Sequence, residues 1–165
     1  MEAKTVPGVR VEEYDGARDG LRGLFALAED SAVRLEEYLD AGRVLIARRG
    51  GEVIGHLQVV SGEIPGELEI NNMAVVTEWQ GRGGGAALVR DALDIAVAED
   101  KDVLVVATAA ADTGNLRFYQ RQGFRMRSVE RDAFTAATGY PDRIVIDGIE
   151  LRDRVWLDLA LEGGR

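Results

Sequence analysis

The sequence predicts an α/β (α+β) fold, a mixed sheet with helices on both faces. Three observations carry this. Between Arg43 and Val76 three strand-like stretches follow one another as a meander. An amphipathic helical stretch, Ala86 to Glu99, comes next. A continuous β-branched run, Val103–Thr108, then marks a buried strand, so strand, loop, helix and strand make one right-handed βαβ unit.

Taken in order, Val9 to Glu13 alternates and suits an edge strand. Leu21, Leu24, Phe25 and Ala28 fall at helical spacing, and Ala32, Leu35, Tyr38 and Leu39 mark a second helix. Asp30 or Ser31 serves as its N-cap, and Gly42 lies just past its end. The strands Arg43–Arg49 and Glu52–Val60 meet at Gly50-Gly51, a two-residue turn that wants positive φ. Leu68 to Val76 is the third strand of the meander. After Val103–Thr108, a short helix over Asn115–Gln122 ends at Gly123. Strands near Phe124–Val129 and Val155–Leu161 complete the sheet.

Composition narrows the function. The 165 residues carry 20 Lys+Arg against 29 Asp+Glu, a net charge of −9, which argues against a nucleic-acid partner. No Cys is present, so disulfides, thiolate metal sites and Cys nucleophiles are excluded, and one His excludes a multi-His metal site. No apolar run is long enough to span a membrane, and the Glu-bearing N-terminus lacks the apolar core of a signal peptide. A cytoplasmic protein is expected. Glycine is the outlier, 20 of 165 residues, about 12% against a usual ~7%.

Four of those glycines lie in Gln80-Gly81-Arg82-Gly83-Gly84-Gly85, between a strand end and a helix start. Glycine lets backbone approach a ligand closely, and the unpaired N–H groups of a helix N-terminus suit a pyrophosphate. A Walker loop would need Lys followed by Ser or Thr after its last Gly, whereas Ala86-Ala87 follows Gly85. A dinucleotide fingerprint would open a doubly wound sheet, whereas this loop follows a meander.

The loop resembles Gln-x-x-Gly-x-Gly, the acetyl-CoA signature of the GNAT N-acetyltransferase superfamily, through Gln80, Gly83 and Gly85. Met73-Ala74-Val75 resembles the end of the strand that precedes it. Asn115 to Phe124, with Phe118-Tyr119 and Gly123-Phe124, resembles the second signature, and the order of elements matches along nearly the whole chain. The resemblance implies a single GNAT-like acetyltransferase domain over 1–165, with two parallel strands, Leu68–Val76 and Val103–Thr108, splayed apart at the centre of a mostly antiparallel sheet.

It also implies acetyl-CoA as co-substrate, no metal, and a role for each matched residue. Backbone at Met73 and Val75 pairs with the pantetheine arm. Gln80 and the loop N–H groups of Gly81, Arg82, Gly83, Gly84, Gly85 and Ala86 hold the pyrophosphate, and Asn115 reaches the pantetheine. Tyr119 stands where the family often keeps a general acid for the departing thiolate, and Glu69 where some members carry the catalytic Glu. The N–H of Val75 faces the developing oxyanion.

Chemistry supports these assignments. An alkylamine with pKa ~10.4 is almost wholly protonated at pH 7, so transfer to it benefits from a base. Glu67 shares the face of Glu69 by alternation, and two carboxylates on one face raise each other's pKa. The base is therefore Glu69, Glu67 or a water. Arg117, Arg121, Arg125, Arg127 and Arg131 form a basic segment expected near the nucleotide, with Arg82 available to the 3′-phosphate. His56 reads as structural or as pocket wall. Around Asp132-Ala133-Phe134 and Gly139-Tyr140-Pro141 the chain makes an excursion whose Asp132, Asp142, Asp147 and Asp153 suit a cationic acceptor. The expected function is direct transfer of acetyl to an amine of a small molecule or peptide, with no Cys for an acyl-enzyme. The alternatives are a catalytically silent acyl-CoA-binding or regulatory module and a protein binding another nucleotide. A homodimer is compatible with either of the first two readings.

Overall fold

The structure, a computed structural model, describes residues 8–162; the N-terminal stretch read for a signal peptide lies largely outside them. Nine strands are described: β1 (Val9–Tyr14), β2 (Arg43–Arg49), β3 (Glu52–Ser61), β4 (Glu67–Val75), β5 (Val103–Ala109), β6 (Arg125–Glu130), β7 (Val145–Ile146), β8 (Ile149–Glu150) and β9 (Arg154–Ala160). The helices are α1 (Arg22–Ala28), α2 (Ala32–Tyr38), α3 (Gly84–Ala98) and α4 (Thr113–Arg121). Seven strands form one sheet in the order β1-β2-β3-β4-β5-β9-β6, while β7 and β8 make a separate hairpin. Among the described residues only β4 and β5 pair in parallel. The last strand inserts between β5 and β6, a long-range pairing that no local pattern announces.

Alternation along the strands sends side chains to two cores. On one face Leu57, Val59, Leu68, Ile70, Leu104, Val106 and Leu157 pack with Leu88, Val89 and Ala92 of α3. On the other, Val44 and Ile46 pack with Leu21, Phe25, Leu35 and Leu39 of the α1–α2 side. The Gly50-Gly51 turn takes φ of 56° and 86°, the positive pair a tight hairpin needs. Ser31 is the α2 cap, its Oγ accepting from the N–H of Arg34 at 3.2 Å.

A polar chain is buried on the α1–α2 face. His56, fully buried, stacks on Phe25 at 4.3 Å, and its Nε2 donates to Oδ1 of Asn72 at 2.7 Å. That direction follows because the Asn72 amide already donates to Phe25 O and to Tyr38 Oη. Tyr38 and Tyr140 each donate to Glu29 at 3.0 Å, and Ser31 Oγ donates to Gly139 O at 2.6 Å. The 131–153 excursion is thereby tied down beside the α1–α2 junction.

Burial pulls the pKa of His56 down to about 4, the Asn72 bond opposing it. The unfolded chain thus binds a proton near pH 6.5 that the folded one refuses until about pH 4. The contribution of His56 is constant above pH 6.5 and lowers stability, by roughly 3 kcal/mol in all, as the pH falls through that window. Because His56 is the sole histidine, its imidazole resonances are unambiguous. They are expected to stay those of the neutral ring down to pH 5, and titration near 6.5 would contradict the burial argument.

Candidate active site

The parallel pairing of β4 and β5 runs only from Glu67↔Val103 to Ile70↔Val106. Beyond it the strands part, leaving Asn71–Val75 and Ala107–Ala109 without partners across a V-shaped gap. A β-bulge accompanies the parting. The register with β3 jumps from Val59↔Ile70 to Gln58↔Asn72, so Asn71 is the extra residue. Bulges bend and twist a strand, and they shift its alternation by one. Met73 therefore joins the α3-side core, whereas Glu69, four residues earlier, lies on the opposite face. Regular alternation would have put both on one face.

The open end of the gap meets the glycine-rich segment. Thr77–Trp79 forms a 3₁₀ turn, Gln80 donates through Nε2 to Val75 O at 3.0 Å, and Gly81 and Gly83 take φ of 74° and 88°. The left-handed Gly83 is the N-cap of α3, and Ala87 N–H donates back to its carbonyl at 3.1 Å. The expected loop was longer: Gly84 and Gly85 instead form the first turn of α3, with Ala86 the third helical residue. Their N–H groups are thus among the unpaired donors of a helix start, where an anion is favoured. A Cβ on Gly85 would stand 3.2 Å from Met73 Cε and from the Phe118 ring, so glycine keeps the helix close to β4 and α4. Arg82 and Arg49 both lie over the Trp79 ring, at 4.8 and 4.2 Å. These features fit a diphosphate-bearing ligand with an extended arm.

Across the gap, α4 is capped by Asp112, whose Oδ1 accepts from Asn115 N–H at 3.0 Å. Asn115 Nδ2 sits 3.5 Å from Thr108 Oγ1, beside the end of β5. Tyr119 is 5% exposed between Phe118 and Phe124, with its hydroxyl directed at Met73 Sδ, 3.9 Å away. Burial raises its pKa, as Asp112 does less strongly, so the phenol holds its proton at neutral pH.

On the opposite face, a cavity of about 150 Å³ is lined by Glu63, Glu67, Glu69, Val105, Arg127 and Trp156, among others. Glu69 is pushed up to about 7, chiefly by burial, then by Glu63; Glu67 adds to this and Arg154 opposes it. A carboxyl poised there exchanges protons near neutrality. Glu67 is ion-paired with Arg127 at 2.7 Å.

The sequence matches the profile of the Acetyltransferase (GNAT) family over residues 14–124. The chain belongs to the GNAT acetyltransferase family and is an acyltransferase. It is 33% identical over 153 residues to an uncharacterised N-acetyltransferase, YvbK, of Bacillus subtilis (strain 168), covering 92% of this chain and 97% of that protein. Among solved structures, a Bacillus subtilis acetyltransferase in complex with CoA superposes with a TM-score of 0.84 at 33% identity, over 93% of this chain and 99% of that one. A GNAT family acetyltransferase from Elizabethkingia anophelis with acetyl-CoA bound gives 0.85 at 27%, over 94% and 99%.

Two expectations for this GNAT chain need correction. The arginine-rich segment is not one nucleotide patch. Arg117 and Arg121 line an open groove with Met126, on the side of α4 opposite Asn115 and Tyr119, and Arg127 turns into the acidic cavity. Nor do the aspartates of the excursion supply the acidity: Asp142 and Asp147 are exposed, and the cavity's carboxylates come from β4 and the turn before it. The excursion instead turns Phe134 and Tyr140 inward, edge to face at 4.9 Å, with Arg154 over Phe134. Sequence reading missed Glu63, Trp156 and Arg127 as neighbours of Glu69. Only Trp156 left a signal, the alternation of the last strand.

Proposed function

We propose that this GNAT enzyme transfers an acetyl group from acetyl-CoA directly to a cationic amine of a small molecule or peptide, within a single acetyltransferase domain. The observation that carries the reading is the placement of the gap. One end opens onto the glycine-rich start of α3, and Glu69 stands on the acidic face beside its vertex. The fit of acetyl-CoA is supported by the unpaired strand edges and by the unpaired N–H groups at the start of α3.

Bound there, acetyl-CoA supplies an acetyl group activated as a thioester. Residues of the chain do the rest. Backbone at Met73 and Val75 extends the sheet to the pantetheine arm, with Asn115 opposite. Gln80 braces Val75, and N–H groups from Gly81, Arg82, Gly83, Gly84, Gly85 and Ala86 take the pyrophosphate. The N–H of Val75 faces the acetyl oxygen as charge develops. Glu69 accepts the proton of the attacking amine, and the Tyr119 hydroxyl returns one to the departing sulfur. Glu63, Glu67, Glu69 and Trp156 line the side from which a cation would enter.

Acetyl-CoA is expected to raise the melting temperature where ATP and NAD do not, and thiol is expected to be released with some member of an amine panel. Absence of the thermal shift would overturn acetyl-CoA binding. A shift without thiol release across the panel would leave a silent acyl-CoA-binding module instead. For Tyr119→Phe, kcat is expected to fall about 10- to 100-fold while the acetyl-CoA Kd changes less than about threefold. Unchanged kcat would remove the acid role.

A further inference from the structure

Arg127 is the residue at which β6 loses register. Its neighbours pair as Met126↔Leu157 and Ser128↔Trp156, leaving Arg127 without a partner residue on β9. Such a bulge re-aims a side chain. Here the guanidinium crosses β9, meeting Asp158 through Nε at 2.7 Å, and reaches β4, meeting Glu67 through a terminal nitrogen at 2.7 Å. An edge strand, all six of whose residues are exposed, thus delivers a cation to the wall of the cavity that holds Glu69.

Without that cation, Glu67 and Glu69 would be two carboxylates on one strand face, and Glu67, 8% exposed, would be a buried charge with no counter-ion. Such a pair shares protons, and neither member is a defined base. With it, Glu67 has a fixed partner, and no hydrogen bond or ion pair to the Glu69 side chain occurs among the described residues. The charged groups around Glu69 are Glu63 from the β3–β4 turn, Glu67 on β4, Arg154 and Asp158 on β9, and Arg127 on β6, with Arg154 itself held by Glu130 at 3.1 Å.

We propose that Arg127 is a positioning residue that, by pairing Glu67 and Asp158 from the bulge of β6, leaves Glu69 as the one β4 carboxylate of the cavity free to accept a proton. The inference rests on the reading of Glu69 as the base. It also explains why the edge strand carries an arginine here: Arg127 contributes to the site through Glu67, not through the ligand.

The test compares pH profiles of kcat/KM for one acceptor amine. In the parent enzyme the acidic limb is expected to be a single-proton step near pH 7. In Arg127→Met the limb is expected to broaden into a two-proton step as Glu67 and Glu69 titrate together. There kcat falls at least fivefold while the acceptor KM does not rise, because the cavity has lost a cation. The double variant Glu67→Gln/Arg127→Met, with no orphaned carboxylate, is expected to recover a single-proton limb and kcat within about twofold of Glu67→Gln alone. A limb unchanged in Arg127→Met, or a double variant as impaired as the single one, would reduce Arg127 to a strap between strands. Should Arg127→Met not fold, Glu67→Gln alone decides: its limb must move to lower pH, and an unmoved limb overturns the proposal. Glu69→Gln separates the two readings. If it keeps the limb, the base assignment fails; if it removes the limb while Arg127→Met leaves a single step, only the role of Arg127 fails.

Discussion

Glu69→Gln is expected to lower kcat/KM for an amine acceptor by about 10²- to 10⁴-fold, the usual contribution of a positioned general base. The acidic limb near pH 7 should vanish with it, leaving only the ionisation of the acceptor amine near ~10.4. The limb arises because burial, with Glu63 and Glu67, raises the Glu69 carboxyl to about 7, so the form able to accept a proton is populated only above that pH. The same shift has a thermodynamic counterpart of known sign. The folded state holds a proton that the unfolded state releases near pH 4.5, so Glu69 costs stability increasingly from there up through pH 7. Glu69→Gln is therefore expected to melt higher than the parent at pH 8, with a smaller difference at pH 5. Loss of activity with a raised melting temperature separates a chemical role from a folding defect. An inactive variant that melts lower at pH 8 would contradict the burial argument, and an unchanged pH profile would clear Glu69 of base duty.

Gly83→Val is expected to weaken acetyl-CoA binding at least tenfold and to diminish or abolish the thermal shift that acetyl-CoA produces. Gly83 caps α3 at φ 88°, where a β-branched residue is strained by about 1–3 kcal/mol. Relief of that strain rotates the peptide planes that aim the first N–H groups of α3 into the gap. In the parent, acetyl-CoA at 100 times its Kd would stabilise by about 2.7 kcal/mol, enough for a clear shift. Gly23→Ala is the control. That glycine lies inside α1 with no positive φ, and a Cβ added there would meet nothing within 4 Å, so alanine should leave ligand binding intact. Equal loss in both variants would show that the effect is not one of cradle geometry.

The range of each signal along the chain decides how much of the fold and site was legible in the sequence. The meander, the hairpin at Gly50-Gly51, the βαβ unit and α4 are written in local periodicity and turn chemistry, and each lies within a residue or two of its expected place. The glycine-rich segment was legible because its residues adjoin in sequence, although the αL conformation of Gly83 lets α3 begin two residues sooner than periodicity suggested. The acidic cavity was only half legible. Glu67 and Glu69 sit on one strand, but Arg127 and Trp156 come from strands whose pairing is set by contacts distant along the chain.

Residue identity and spacing were enough to establish the class of chemistry. They excluded Cys and multi-His mechanisms, gathered four glycines at the start of one amphipathic helix, and carried two motifs of the GNAT family in order. Orientation had to come from the folded chain. The bulge at Asn71 separates the faces of Glu69 and Met73, β9 inserts between β5 and β6, and the bulge at Arg127 turns an edge-strand arginine into the cavity. Composition and periodicity report which residues are present and how often they recur. A one-residue irregularity reverses every side chain beyond it, and it is fixed by packing and strand pairing, not by any local preference.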